Sequence, residues 1–176
     1  MKSPDFDYFR ASSLQEALAC LQQHGCDAQI LAGGQSLLAM MNLRMASPRI
    51  LVDISRIAGL NRIERQGAVL RIGALVTHRQ LLDSPEVATA VPLLAQAVPH
   101  VAHLAIRNAG TIGGSLALAD PAAEYPAVAL ALNATLIATS LRGERRMAAT
   151  DYFQGLYQTA LAEDEILTAI EFPVAC

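Results

Sequence analysis

The sequence predicts an α+β fold of two lobes, a small parallel β-α-β unit over residues 1–55 and a larger antiparallel sheet with helices over residues 56–176. Three observations carry this. Before residue 55, short apolar runs flank a stretch of helical period; from Ile63 the pattern changes to the two-residue alternation of hairpin strands. Each part also holds one glycine pair closely followed by a hydroxyl residue, Gly33-Gly34-Gln35-Ser36 in the first and Gly113-Gly114-Ser115 in the second.

In the first lobe, residues 6–10 read as a short strand. Ser13 with Glu16 forms a capping box that opens a helix, whose Leu14, Ala17, Leu18 and Leu21 share one face until Gly25 ends it. Residues 29–32 are expected to be a buried strand feeding the first glycine pair. Residues 37–44 continue as a helical or irregular stretch with Leu37, Met40 and Met41 packed inward, and residues 48–54 form the next strand. A glycine loop at the carboxyl end of a strand in such a layer is where ligands bind in open α/β sheets.

In the second lobe, residues 63–73 alternate around Gly67 as a hairpin. Thr77 opens a short helix, Ser84-Pro85 opens another segment, and residues 92–103 run helically with a break at Pro99. Residues 122–132 read as a helix, 134–140 as a strand rich in β-branched residues, and Arg142-Gly143 as a turn from which Arg145-Arg146-Met147 leads away. Residues 150–153 make a packing corner. Residues 165–172 alternate as a final strand, ended by Pro173.

Composition excludes several functions. At 53% hydrophobic and 16% charged, 176 residues suffice to bury a core, which predicts a soluble globular chain. The longest apolar run, residues 127–141, is interrupted by Asn133, Thr135, Thr139 and Ser140, so no membrane span is expected. The opening Met1-Lys2-Ser3-Pro4-Asp5 carries no apolar leader, which predicts a cytoplasmic protein. Cys20, Cys26 and Cys176 form no Cys-x-x-Cys, so neither a disulfide framework nor iron–sulfur ligation is expected. His24, His78, His100 and His103 lack a completing carboxylate or cysteine set, predicting structural or surface roles and no metal site. Arg145-Arg146 stands without basic or aromatic neighbours and reads as solvated surface, so no nucleic-acid partner is expected.

The candidate chemistry lies in the two glycine segments. Glycine pairs bring the backbone close to a ligand, and successive main-chain N–H groups in such turns converge on an anion. Ser36, Thr111 and Ser115 add hydroxyls. Arg44 and Arg107 are the cations near these segments, and the net charge is -3, so main-chain dipoles rather than a basic patch are expected to hold a pyrophosphate. Either segment alone is most often just a turn; two together suggest opposite sides of one ligand. Neither matches the Gly-Lys-Ser/Thr of a P-loop or the Gly-x-Gly-x-x-Gly dinucleotide fingerprint. No nucleophile, general base or other catalytic set stands out.

These residues, together with Phe6-Asp7-Tyr8, Leu51-Val52-Asp53-Ile54, Arg71-Ile72-Gly73-Ala74, Arg107-Asn108-Ala109-Gly110, Ala119-Asp120-Pro121-Ala122-Ala123 and Glu165-Ile166-Leu167-Thr168, carry a resemblance. In this order and spacing the chain resembles the FAD-binding medium subunits of the molybdenum hydroxylases, the family of the carbon monoxide dehydrogenase medium subunit and the FAD segment of xanthine dehydrogenase. The resemblance implies a two-lobed FAD-binding fold of the PCMH/VAO type with FAD in the crevice between the lobes. It implies that Leu31, Ala32, Gly33, Gly34, Gln35, Ser36 and Leu37 wrap the pyrophosphate and ribityl chain, and that Thr111, Gly113, Gly114 and Ser115 close the other side. Glu124 matches an acidic position that hydrogen-bonds the flavin, with Asp in many relatives; Val101, Ile166 and Leu167 match apolar positions lining the cofactor.

The implied activity is that of an oxidoreductase component. Electrons pass from a molybdopterin large subunit through an iron–sulfur small subunit to the flavin, and on to NAD or another acceptor. Family members continue into a carboxyl-terminal domain beyond the point that this sequence reaches. A free-standing flavoenzyme of the same two-lobed fold and a non-catalytic interaction domain are the alternative readings.

Overall fold

The computed structural model describes residues 2–175. Its chain opens with strand β1 (Asp7–Arg10), helix α1 (Leu14–His24), a 3-10 turn, strand β2 (Ala28–Leu31), helix α2 (Leu37–Asn42) and strand β3 (Ile50–Asp53). The three strands form a parallel sheet in the order β1-β3-β2, with Tyr8 and Gln29 both level with Leu51. One face, through Phe9, Ile30 and Val52, packs on Ala17, Leu18 and Leu21 of α1. As an edge strand, β2 is half-buried and not the buried strand expected of residues 29–32. The cap of α1 also differs from the expected box. Ser13 accepts from the Glu16 amide, but the Glu16 carboxylate turns to the amide and hydroxyl of Ser12, each at 2.8 Å, one residue earlier.

The second lobe begins with hairpin β4 (Ile63–Gln66) and β5 (Val69–Gly73) around Gly67, whose φ is 62°. Helices α3 (His78–Asp83), α4 (Pro85–Ala90) and α5 (Pro92–Ala97) follow, and Pro99 ends the last as a 3-10 turn. Thr77 and Gln80 form a complete capping box on α3. Then come α6 (Leu104–Arg107), α7 (Ile112–Leu118), α8 (Glu124–Ala131), β6 (Thr135–Ser140), β7 (Gly143–Ala148), α9 (Ala149–Tyr152), the small hairpin β8 (Phe153–Gly155) with β9 (Gln158–Thr159), and β10 (Ile166–Pro173). The larger sheet has the order β4-β5-β10-β6-β7 and is antiparallel throughout.

Residues 165–172 form the final strand expected of them, and pairing makes it the central one: β10 is buried on both faces. The alternation separates Leu167, Ile170 and Phe172 in the helix-covered core from Glu171 under Arg71 and Arg146 on the opposite side. Arg145 and Arg146 lie on strand β7 and are exposed, as expected of solvated surface, and each is in addition ion-paired, Arg145 to Glu165 at 2.6 Å and Arg146 to Glu171 at 2.5 Å. The arginines hold both carboxyls below their usual range.

The start of β10 joins the lobes. Ile166 packs into the core of the first lobe and its neighbour Leu167 into that of the second, because adjacent strand residues point to opposite faces. Leu75, after β5, likewise joins the first core.

Candidate functional site

A crevice of about 840 Å³ runs between the lobes, within the roughly 300–1,000 Å³ usual for ligand and cofactor pockets. Its walls include Ala32, Gly33, Gly34, Gln35, Ser36 and Leu37 from the first glycine segment. They include Thr111, Gly113, Gly114 and Ser115 from the second, together with Val101, Glu124, Ile166 and Leu167. Leu31 is outside the lining: it ends β2, and its side chain packs by Gly34.

The two segments meet directly. A Cβ placed on Gly33 would stand 2.1 Å from the Ala109 carbonyl oxygen and 2.9 Å from Gly110 Cα, so glycine at 33 is what lets the lobes close. Gly110 is itself pressed on its other side, where a Cβ would lie 2.7 Å from His78 Nε2. Gly34, with φ at 70°, turns the chain from β2 into α2 in a conformation that L-residues avoid. Gln35 folds its amide back onto the Gly33 carbonyl at 2.9 Å and holds the turn.

The hydrogen-bonding states of the two segments differ sharply. From Ala32 to Leu37, six consecutive main-chain N–H groups have no acceptor among the described residues; the ladder of β2 has ended and the first helical bond, from Leu38 to the Gly34 carbonyl, lies beyond them. A run of free main-chain donors is chemically suited to an anion. The second segment was expected to be a similar open cradle, and it is not. Gly113 and Gly114 sit in the first turn of α7, neither has a positive φ, and every amide there is taken. Ile112 donates to the Val76 carbonyl, Gly113 to that of Ala74, Gly114 to Thr111 Oγ1 and Ser115 to the Thr111 carbonyl. Gly113 is needed for packing, since a Cβ there would lie 2.4 Å from that of Ala74.

The expected scarcity of cations holds in a stronger form: the lining contains no lysine or arginine among the described residues. Arg44 is exposed away from it. Arg107 spends its Nη1 on the carbonyls of Pro99, Val101 and Ala102, at 3.3, 3.0 and 2.8 Å, and so fixes the wall that carries Val101. Carboxylates are present instead, from Asp120, Glu124, Glu163 and Glu165, the last neutralised by Arg145. Strained backbone gathers at the same place. Ala102, Ala119 and Tyr157 all have positive φ, and the Tyr157 amide donates to the Ala119 carbonyl at 3.2 Å.

Sequence reasoning missed His78. Its ring is buried against Tyr125, with Tyr125 Oη 3.0 Å from Nδ1, and it lines the crevice beneath Gly110. Burial, with the Arg107 charge second, pushes its pKa down to about 4, so the imidazole is neutral near pH 7. Burial, assisted by the Glu124 charge, raises the pKa of the Tyr125 phenol. An isolated histidine has no sequence mark that separates a crevice floor from a core. Tyr157, at the exposed tip between β8 and β9, also lines the mouth. Among the described residues no cluster of three metal-ligating side chains occurs, and no helix is long and apolar enough to cross a membrane.

Comparison with known proteins gives this geometry a family. Residues 4–175 match the family described as the FAD binding domain in molybdopterin dehydrogenase. The chain is 44% identical over 173 residues to the nicotine 6-hydroxylase medium subunit of Paenarthrobacter nicotinovorans, covering 98% of this chain and 61% of that protein. It is 42% identical over 173 residues to the carbon monoxide dehydrogenase medium chain of Hydrogenophaga pseudoflava, covering 98% and 60%. Among solved structures, carbon monoxide dehydrogenase from Hydrogenophaga pseudoflava superposes with a TM-score of 0.98 at 41% identity, over 100% of this chain and 61% of that one. Quinoline 2-oxidoreductase from Pseudomonas putida 86 gives 0.97 at 43%, over 100% and 61%. The chain thus spans about three fifths of the length of these relatives. The fold is the two-lobed FAD-binding fold that the resemblance implied, the family's cofactor is FAD, and the chain belongs to the FAD-binding domains of the molybdopterin dehydrogenases.

Proposed function

We propose that this chain holds FAD along the crevice and serves as the electron-transfer module of a molybdenum hydroxylase. In this reading an iron–sulfur small subunit and a molybdopterin large subunit are its partners, and NAD or another acceptor takes the electrons. The observation that carries it is the run of six amides from Ala32 to Leu37 without an acceptor, beside a crevice whose lining has no basic side chain, both among the described residues. A diphosphate is the anion whose length and charge suit such a run.

Residues 31–37 hold the diphosphate and adjacent ribityl chain. Leu31 contributes by supporting Gly34 from behind the loop. Thr111, Gly113, Gly114 and Ser115 close the opposite wall. With the amides of Gly113, Gly114 and Ser115 engaged, these residues act through close approach and through hydroxyl groups. Glu124, at the first position of α8, accepts from the flavin; Val101, Ile166 and Leu167 give apolar contact. The division into lobes at about residue 55 then marks the two sides of the cofactor. When bound, FAD supplies the electron exchange, while the protein binds it, orients it and tunes its potential. No general base is required of this chain.

The test is reconstitution. The purified chain mixed with FAD retains flavin absorbance through gel filtration, and Gly33→Ala loses it. A chain that binds no flavin contradicts the reading. Co-purification with iron–sulfur and molybdopterin subunits tests the relay, and isolation of a flavin-loaded chain that never associates with such subunits contradicts that part alone.

A further inference from the structure

His78 has one ring nitrogen engaged and one free. Nδ1 meets the Tyr125 hydroxyl at 3.0 Å, the one hydrogen bond that the ring makes among the described residues. The ring is 5% exposed, and that exposure opens onto the crevice, beside Gly110 and Thr111, where the two segments meet. The tautomer follows from Tyr125. If Nδ1–H donated to the phenol oxygen, the phenol proton would be left without an acceptor in the core, because this contact is the only hydrogen bond of Tyr125 Oη among the described residues. Donation from Tyr125 to Nδ1 satisfies that proton, and the neutral ring then carries its own hydrogen on Nε2. The result is an uncharged donor that faces the crevice with no protein acceptor among the described residues.

We infer that His78 is a further binding residue of this site: its Nε2–H donates to an oxygen acceptor of the bound dinucleotide where the two glycine segments meet. The inference rests on the FAD reading above. It gives the second wall a donor in place of the helix amides that are already spent, and it explains why glycine stands at 110, since a methyl group there would cover Nε2. Tyr125 acts as a positioning residue, fixing the tautomer without touching the ligand.

Two substitutions separate this role from a purely structural one. Gln at 78 sets an amide nitrogen near the place of Nε2 and gives up the Tyr125 bond; Asn keeps a partner for Tyr125 and gives up the crevice donor. FAD affinity, followed by quenching of flavin fluorescence at a temperature where thermal melts show each protein folded, is expected to fall about ten- to a hundredfold in His78→Asn. It stays within about threefold of the parent in His78→Gln. Equal affinity of His78→Asn and the parent, or the reverse order of the two variants, overturns the assignment while leaving the FAD reading intact. A parent chain that binds no FAD overturns both. Nitrogen-15 spectra of labelled histidine need no variant: the Nε2–H tautomer near neutral pH, with its signal moving on addition of FAD, supports the assignment, and an Nδ1–H tautomer overturns it.

Discussion

Gly33 has no room for even a methyl group, because the Ala109 carbonyl occupies the place where one would go. Gly33→Ala therefore forces the lobes apart, with an expected cost of about 1–3 kcal/mol in stability and more than about tenfold in FAD affinity, read by denaturant unfolding and flavin titration. Gly114→Ala is the contrasting case. Its nearest obstacle is Thr111 Oγ1 at 3.0 Å, and alanine gains up to about 1 kcal/mol of helix propensity, so its stability is expected to change by less than about 1 kcal/mol. His78 supplies a pH signature. Its pKa is near 6.5 when unfolded and about 4 when folded, so below 6.5 the unfolded chain takes up a proton that the folded chain refuses. The stability that His78 contributes is present above about pH 6.5 and is lost as pH falls toward 4, by on the order of 3 kcal/mol. Unfolding curves at stepped pH show the loss, and His78→Gln flattens it.

At the scale of the element, α7 shows what could be read in advance and what could not. The motif Gly110-Thr111-Ile112-Gly113-Gly114 was recognisable as a candidate site, but that Thr111 caps a helix there was not foreseen. Nothing local to the sequence told which amides would be free. The answer depends on Val76 and Ala74, more than thirty residues away, whose carbonyls take the Ile112 and Gly113 donors. The first segment was legible for the opposite reason: Gly34 in the left-handed region ends the ladder within a few residues, so local chemistry decides its free amides. Strand β10 follows the same rule. Its existence was plain from its alternation, but its central position depends on pairing with β5 and β6, far apart in the chain. Helix α7 also ends on a strained residue, Ala119, at φ 50°. Because a glycine there adopts the left-handed cap without a Cβ penalty, Ala119→Gly is expected to raise stability by up to about 1 kcal/mol, measured as a rise in melting temperature.

At the scale of the molecule, two cores face each other across a crevice whose lining carries carboxylates and no cations among the described residues. A dinucleotide held there by main-chain dipoles gains nothing from long-range attraction, and Asp120, Glu124 and Glu163 repel its diphosphate. Added salt screens that repulsion, so FAD affinity is expected to stay constant or rise slightly with ionic strength; a basic site would weaken under the same titration. The two-lobed plan and the change of period near residue 55 were visible in the chain itself, whereas the closeness of Gly33 to Gly110 required the assembled fold. The central claim is that the free amides of the first loop grip the diphosphate, and amide NMR during an FAD titration tests it most directly. The account predicts large downfield proton shifts confined to the N–H groups from Ala32 to Leu37, little change at Ile112 to Ser115, and no such pattern with riboflavin, which lacks the diphosphate. Unmoved resonances in the first loop with FAD demonstrably bound would contradict it.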